Sequence, residues 1–307
     1  MWALRIVLAL VGVISVATVA VPVRLRSQTT VFHERVDLVN MGVTVADKRH
    51  RLIADLGAGD FAIFEDGKPQ TIRAFAVGSG SGPQLHAGVM LDVSESQERD
   101  IGFTQTAAIK FLRALAEAVD ITFVDFATEV RAARYPQSDF PRLVEHVRAL
   151  KAGGWTALYD AIGVYLDGAS DQDGRKIVVL YTDGGDTRSS LRLGDLMDML
   201  KASDATVYAI GALEHQPESV QTAQRAILQQ IAEATGGAAF FPGRLKDLDG
   251  IYEQIIGEVR AQYTLGYLST NERTDGAWRK VEIKITRADA RNLRVRARKG
   301  YFAASKH

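Results

Sequence analysis

The sequence has no cysteine among its 307 residues, and its charges cancel, with 37 Lys+Arg against 37 Asp+Glu. The absence of cysteine excludes a disulfide scaffold, thiolate metal ligands and a cysteine nucleophile. A net charge of zero excludes a chain-wide basic field of the kind that binds nucleic acid. The chain instead has a globular composition, with 47% hydrophobic and 24% charged residues, which excludes disorder throughout.

One long uncharged stretch, residues 6–23, lies near the N-terminus between Arg5 and the pair Arg24 and Arg26. A short basic segment followed by an apolar one is typical of a signal peptide. The stretch also approaches the roughly 17 residues that a membrane-spanning helix needs. Residues 1–28 are therefore predicted to be a signal peptide or a membrane anchor. The protein is predicted to be exported, and to be periplasmic, secreted or anchored to the cell envelope.

The two flanks of the chain have β patterns. Residues 31–77 alternate apolar and polar side chains and contain the hairpin signal Asp66-Gly67. Residues 263–303 contain three further alternating segments. We expect the flanks to pair into one small β-sandwich, because each flank alone has few strands for independent stability. Two separate β pieces are the alternative.

Residues 86–262 have a different pattern, in which apolar runs alternate with amphipathic helical segments. The apolar runs include strands that end in Asp92 and Asp183 and a single strand expected over residues 121–130. This alternation predicts an α/β fold, a doubly wound and mostly parallel sheet of Rossmann-like type covered on both faces. The smaller all-β sandwich from the flanks completes the predicted fold class.

Carboxylates and hydroxyls gather at the predicted strand ends of this region. The first apolar strand ends in D-V-S-E-S, which places Asp92, Ser94 and Ser96 together, and the central strand ends in T-D-G with Asp183. Between them, G-G-W-T ends at Thr156, just before a helix. Ligands of open α/β sheets bind at the carboxyl ends of the strands. The motifs should therefore meet in an oxygen-only site that suits Mg²⁺.

These three motifs together resemble the metal-ion-dependent adhesion site of von Willebrand factor type A domains, over roughly residues 86–262. The flanks, with DFAIFEDGKPQ and VRARKGYF, resemble the exported bacterial group of acidobacterial von Willebrand factor A-related proteins. The resemblance implies a non-enzymatic module that binds a partner protein outside the cytoplasm through bound Mg²⁺, with Mn²⁺ or Ca²⁺ as alternatives.

The resemblance also implies a role for each of the five residues. Ser94 and Ser96 would bind the metal directly through their hydroxyls, and Thr156 would supply a third hydroxyl. Asp92 and Asp183 would act mainly through water and orient the hydroxyls. An exposed Asp or Glu of the partner protein would fill the open coordination position.

Two residues depart from the family pattern and are predicted to form the partner-binding rim. Glu95 stands between the two serines, where a small residue is common. Its carboxylate could raise cation affinity, discourage an acidic partner or simply lie in solvent. Trp155 stands between the glycines and the threonine, where it could pack on the sheet or contribute to recognition.

A hydrolase that uses the same Mg²⁺ for phosphoryl transfer is the alternative function. Such an enzyme needs a nucleophile or an activated water, but the position two after Asp92 is Ser94 rather than a second Asp. No G-x-S-x-G elbow surrounds Ser94. His215 is the only histidine just beyond a predicted strand of this region, so the non-enzymatic interpretation is preferred.

Overall fold

The computed structural model describes residues 38–78, 82–214 and 216–305. The predicted signal peptide or anchor at residues 1–28 lies outside these ranges. Within them, no helix combines the length and the apolar character needed to cross a membrane.

The strands fall into three groups along the chain. The first flank contains β1 (Val39–Asp47), β2 (Phe61–Glu65), β3 (Lys68–Gln70) and β4 (Ile72–Val77). The middle region contains β5 (Leu85–Asp92), β6 (Asp120–Phe126), β7 (Val130–Pro136), β8 (Arg175–Thr182), β9 (Thr206–Gly211) and β10 (Ala239–Phe240). The second flank contains β11 (Tyr263–Tyr267), β12 (Trp278–Ile285), β13 (Leu293–Arg296) and β14 (Gly300–Phe302).

The α-helices of the described chain all lie in the middle region. They are α1 (Ile101–Ala114), α2 (Phe140–Ala149), α3 (Leu158–Ala169), α4 (Leu193–Ala202), α5 (Glu218–Ala234) and α6 (Leu248–Ala261). Apolar residues recur at helical spacing, so each helix buries one face against the sheet. In α1, for example, the buried face includes Ala108, Phe111 and Leu112.

The middle region forms a six-stranded sheet in the order β10-β9-β8-β5-β6-β7. The strands from β10 to β6 run parallel, and β7 is an antiparallel edge. The two central strands, β5 and β8, are buried along their whole length, as their continuous apolar runs predict. Two hydrophobic clusters cover the faces of the sheet. The predicted α/β class is therefore confirmed.

The strand order changes direction between β5 and β8. From β5 the chain continues to β6 on one side, and it returns to place β8 on the other side. The crevice at the carboxyl ends of two such strands is the usual ligand site of an open α/β sheet. Asp92 ends one of these strands, and Asp183 follows the other.

The expectation of a single strand over residues 121–130 is wrong. The strand β6 ends at Phe126, and the N–H of Ala127 donates to the carbonyl of Glu129 at 3.0 Å, which closes a turn. The chain then returns as β7, which pairs antiparallel with β6 over its full length. An apolar run by itself does not reveal such a reversal, because both strands continue the same local pattern.

The flanks form two antiparallel four-stranded sheets, in the orders β13-β1-β11-β4 and β14-β12-β2-β3. Each sheet contains strands from both flanks, so the prediction of one sandwich is confirmed and the alternative of two separate pieces is wrong. Between the sheets, the ring of Phe61 lies 5.0 Å from that of Tyr263 and 6.1 Å from that of Phe75. The hairpin turn has positive φ at Asp66 (47°) and Gly67 (79°), which matches the expected D-G turn.

Buried hydrogen bonds connect the sandwich to the α/β layer. The guanidinium of Arg175, at the start of β8, donates to the carbonyls of Gly78 and Val259, each at 2.7 Å, and to Oε1 of Gln262 at 3.0 Å. Helix α6 leads into β11 through Gln262 alone. The predicted domain boundaries, 31–77 plus 263–303 and 86–262, stay predictions.

Candidate metal centre

Asp92 is the last residue of β5, and its side chain is fully buried. One carboxylate oxygen accepts the backbone N–H of Ser94 at 2.9 Å, and the other accepts the hydroxyl of Thr182 at 2.6 Å. The hydroxyl oxygen of Thr182 in turn accepts the N–H of Gly184 at 3.1 Å. The carboxylate is thus held where β5 and β8 end side by side.

Ser94 and Ser96 follow Asp92 in a loop that brings their hydroxyl groups together. Ser94 has an extended backbone, with φ −65° and ψ 168°, and it is buried while Ser96 is exposed. Their hydroxyl oxygens are 3.1 Å apart. Neighbouring ligands of an octahedral Mg²⁺, each about 2.1 Å from the ion, are about 3.0 Å apart. The serine pair therefore fits adjacent positions around such an ion.

Backbone hydrogen bonds join the loop that ends at Thr156 to the serine loop. The N–H of Gly153 donates to the carbonyl of Val93 at 2.8 Å, and the N–H of Glu95 donates to the carbonyl of Gly154 at 3.1 Å. The φ of Gly154 is +85°, a conformation that favours glycine over any residue with a side chain. The two motifs, about 60 residues apart in sequence, are thus neighbours in the fold.

Thr156 is buried just before α3 and is held by its backbone groups. Its N–H donates to the hydroxyl of Thr187 at 2.9 Å, and its carbonyl accepts the N–H groups of Thr187 and Arg188 at 2.9 and 3.0 Å. In the described part of the chain, the hydroxyl of Thr156 makes no hydrogen bond. That oxygen is therefore available as the third hydroxyl ligand.

Asp183 directly follows β8 and is 5% exposed. One carboxylate oxygen accepts the N–H of Gly185 at 2.9 Å, and the other accepts the side-chain amide of Gln216 at 2.9 Å. Its neighbour Thr182 is the residue that donates to Asp92. The adjacent ends of β5 and β8 therefore position the carboxylates of Asp92 and Asp183.

The electrostatics of the site favour a bound cation. Burial raises the pKa of Asp92 to about 6, hydrogen bonds from Ser94 and Thr182 lower it, and the charge of Asp183 adds to the increase. None of the largest influences on this pKa comes from a basic side chain. Burying carboxylates without a basic partner costs free energy, and a cation bound beside them would offset that cost.

The donor set fits a hard divalent cation. Asp92, Ser94, Ser96, Thr156 and Asp183 offer two carboxylates and three hydroxyls, without nitrogen or sulfur. Across the described ranges, no group of three or more His, Cys, Asp or Glu side chains is placed to hold a metal ion, so a cation here would need the hydroxyls. An oxygen-only set with few protein ligands suits Mg²⁺, which keeps several waters. Metal binding by these five residues stays a prediction.

The two predicted rim residues lie at the surface beside this donor set. Glu95 is exposed, and Trp155 is 65% exposed. The backbone N–H of Trp155 donates to the hydroxyl of Thr128 at 2.9 Å, which fixes the loop while leaving the indole in solvent. Such exposure is that of a surface residue and not of one packed on the sheet. Partner binding by both residues stays a prediction.

Three polar residues outside the predicted set position its members. Thr128 holds the backbone of Trp155, Thr187 holds that of Thr156, and Gln216 holds the carboxylate of Asp183. Gln216 follows the carboxyl end of β9, so the strand-end rule that indicated the other motifs could have indicated it too. Thr128 follows the carboxyl end of β6 and Thr187 that of β8, so the same rule applies to both threonines.

The fold and the site together define a class of protein. Residues 88–254 match the family model of the von Willebrand factor type A domain, which is more than half of the chain. The chain belongs to the von Willebrand factor type A domain family. The matched range starts in β5, ends in α6 and includes all five predicted ligands. The resemblance of the flanks to the acidobacterial group stays a prediction, and no curated protein sequence matches the chain significantly.

Several solved structures are similar to the chain at low sequence identity. A von Willebrand factor type A protein from Catenulispora acidiphila is 12% identical, with TM-score 0.47 over 90% of this chain and 76% of that chain. The pilus adhesin SpaC from Lactobacillus rhamnosus GG is 10% identical, with TM-score 0.49 over 80% of this chain and 48% of that one. The von Willebrand factor domain of the type V pili tip protein Mfa5 from Porphyromonas gingivalis is 12% identical, with TM-score 0.47 over 64% and 100%.

Proposed function

We propose that the protein is a divalent-cation-dependent protein-binding or adhesion module. The observation that carries the proposal is the pair of serine hydroxyls 3.1 Å apart, set beside the buried carboxylates of Asp92 and Asp183. With Thr156, these groups would hold Mg²⁺, and Mn²⁺ or Ca²⁺ could take its place. Membership of the von Willebrand factor type A family fits a binding module.

The bound cation would supply a positive charge and an open coordination position for an acidic side chain. An exposed Asp or Glu of the partner protein is the group that this chemistry selects. Trp155 would add apolar contact area at the rim, since a large exposed aromatic side chain contributes strongly to interfaces. Glu95 would repel acidic groups that approach without reaching the cation.

We further propose that the module acts outside the cytoplasm. The uncharged stretch at residues 6–23 supports export, with the protein periplasmic, secreted or held at the envelope by that segment. The balanced charge of the chain supports a protein partner in preference to nucleic acid.

Thermal unfolding and calorimetric titration of the full chain with Mg²⁺ and Mn²⁺ test the metal site. Wild type should gain stability in excess cation, by about 2.7 kcal/mol at a hundredfold excess over Kd, and lose that gain in chelator. Ser94→Ala and Asp183→Ala should gain little. The matched controls are Ser138→Ala and Asp171→Ala at exposed positions, and they should behave as wild type. A cation response that survives in Ser94→Ala and Asp183→Ala would contradict the proposal.

Capture of envelope proteins with and without chelator tests the partner, and phosphoester hydrolysis tests the alternative. Cation-dependent capture that Ser94→Ala abolishes is the expected result. Cation-dependent turnover of p-nitrophenyl phosphate would favour a hydrolase. Within the described ranges, the hydroxyl of Ser94 forms a hydrogen bond with that of Ser96 and none with a histidine. His215 lies outside the described residues. No observation therefore favours catalysis.

A further inference from the structure

A groove of about 730 Å³ runs along α3 and opens beside the candidate metal centre. Thr128 and Ala157 line it. Both are tied to the loop of the centre, because Thr128 accepts the N–H of Trp155 at 2.9 Å and Ala157 directly follows Thr156. The groove therefore begins beside the loop that ends at Thr156, while none of the five candidate ligands lines it.

We propose that this groove binds an extended segment of the partner protein, with an acidic residue of the segment at the metal centre and a basic residue at Asp167. The inference rests on the proposed cation-dependent function and deepens it, because it specifies the sequence pattern of the partner. Three features of the groove support it: the charge at each end, the apolar middle and the length.

Arg188 supplies a positive charge at the end of the groove near the metal centre. Arg188 lines the groove, and its backbone N–H donates to the carbonyl of Thr156 at 3.0 Å. Its side chain is exposed and makes no ion pair within the described residues. Together with a cation at the centre, this guanidinium would attract the acidic residue of the segment.

The middle of the groove is apolar. Val164 points out of α3 with 45% of its surface exposed, which is high for a valine in a helix that packs on a sheet. Gly163, Leu191 and Met199 also line this part. A Cβ at Gly163 would lie 2.6 Å from Cδ1 of Leu191, so glycine there lets the apolar side chain of Leu191 pack directly on α3. An apolar side chain of the segment would cover this surface.

The far end of the groove is negatively charged. Asp167 lines this end. Asp160 lines the groove nearer the metal centre, one turn from Ala157, and its two oxygens already accept the N–H groups of Ser190 and Leu191 at 2.8 and 2.9 Å. The carboxylate of Asp167 is exposed and makes no hydrogen bond or ion pair in the described chain. It is therefore the group that would select a Lys or Arg of the segment.

The length of the groove sets the spacing of the two charged residues in the partner. Ala157 and Asp167 are ten positions apart on a helix, which corresponds to about 15 Å at 1.5 Å per residue. An extended segment advances about 3.3 Å per residue, so it spans this distance in about four to five residues. The partner pattern is then an acidic residue, an apolar residue between, and a basic residue about four or five positions away.

A random peptide library displayed on phage tests this pattern when it is selected on the full chain in Mn²⁺. Wild type should enrich peptides with an acidic residue and a Lys or Arg four or five positions away. With Asp167→Lys, the preference four or five positions from the acidic residue should change from Lys or Arg to Asp or Glu. This variant should also bind a peptide selected on wild type at least tenfold more weakly. Asp171→Lys is the matched control at an exposed position and should keep the wild-type preference. Thermal unfolding of each variant verifies that it is folded.

The outcomes separate the groove from the metal centre. Peptides with an acidic residue but no preference at the distant position would overturn the groove proposal and leave the cation-dependent function standing. The same holds if Asp167→Lys enriches the same peptides as wild type. A distant basic preference that persists in Ser94→Ala and in chelator would instead overturn the cation-dependent function. Loss of all enrichment in wild type would overturn both.

Discussion

The hydroxyl of Thr182 donates a 2.6 Å hydrogen bond to the buried carboxylate of Asp92. The same hydroxyl oxygen accepts the N–H of Gly184 at 3.1 Å. One side chain therefore links the loop that contains the serines to the loop that contains Asp183. The geometry of the candidate metal centre depends on this link, although Thr182 is not itself a predicted ligand.

Replacing Thr182 with valine removes the donor and keeps the shape of the side chain. Asp92 then has a buried oxygen without a partner, which should lower the free energy of unfolding by about 1–3 kcal/mol in the absence of cation. Mn²⁺ affinity should fall about tenfold, because the carboxylate is no longer fixed. Urea unfolding and calorimetric titration measure the two effects. Thr182→Ser restores the hydroxyl and should recover most of the stability and most of the Mn²⁺ affinity. Equal losses in Thr182→Ser and in the valine variant would refute a role for the hydroxyl.

Glu65 joins the two sheets of the sandwich. Its carboxylate is 2% exposed and accepts the hydroxyls of Tyr267 at 2.9 Å, Ser269 at 2.6 Å and Tyr301 at 2.9 Å. Glu65→Ala should lower the free energy of unfolding by about 3 kcal/mol, since one buried and two partly buried hydroxyls lose their acceptor. Glu65→Gln, which keeps one acceptor oxygen, should lose about half as much. Urea unfolding measures both variants. If Glu65→Ala lowers the free energy of unfolding by less than about 1 kcal/mol, the hydroxyls find other partners.

Arg175 connects the sandwich to the α/β layer by hydrogen bonds to three acceptors. Arg175→Met should cost about 3 kcal/mol, because it leaves those buried acceptors without a donor. Arg175→Lys should not recover the loss, since one ammonium cannot reproduce the planar guanidinium fork. Arg142→Met, at an exposed position, is the control and should stay within about 0.5 kcal/mol of wild type. Calorimetric unfolding measures the stability of all three variants. Wild-type stability in Arg175→Lys would contradict a role for the guanidinium.

Trp155 should matter for binding and not for stability. Because its side chain is 65% exposed, Trp155→Ala should change the free energy of unfolding by less than about 0.5 kcal/mol. It should weaken the binding of a peptide selected on wild type about tenfold or more, while leaving the Mn²⁺ affinity unchanged. Trp278→Ala removes a ring that is 37% exposed and packs 5.1 Å from that of Phe302. It should lower the free energy of unfolding and leave the affinity for the peptide unchanged. Unchanged peptide affinity in Trp155→Ala would show that Trp155 is not part of the partner-binding rim.

The α/β layer and the place of the candidate site could be predicted from the sequence alone. The continuous apolar runs of β5 and β8 require burial on both faces, and only a parallel sheet between helices provides it. Since parallel strands end at one edge, the motifs at Asp92 and Asp183 had to meet there. These inferences depend on local pattern and on one topological rule, so they needed no side-chain coordinates.

The folded structure was needed for the features that local sequence patterns leave open. It showed that the flanks share two sheets, that the chain reverses after Phe126 to form β7, and that Gln216 and Thr187 hold the site. It also opened the groove between α3 and the loop at Arg188. Each of these features depends on contacts between residues far apart in sequence or on the direction of single side chains. Hydrophobic periodicity contains no information about either, because it records burial and not the partner.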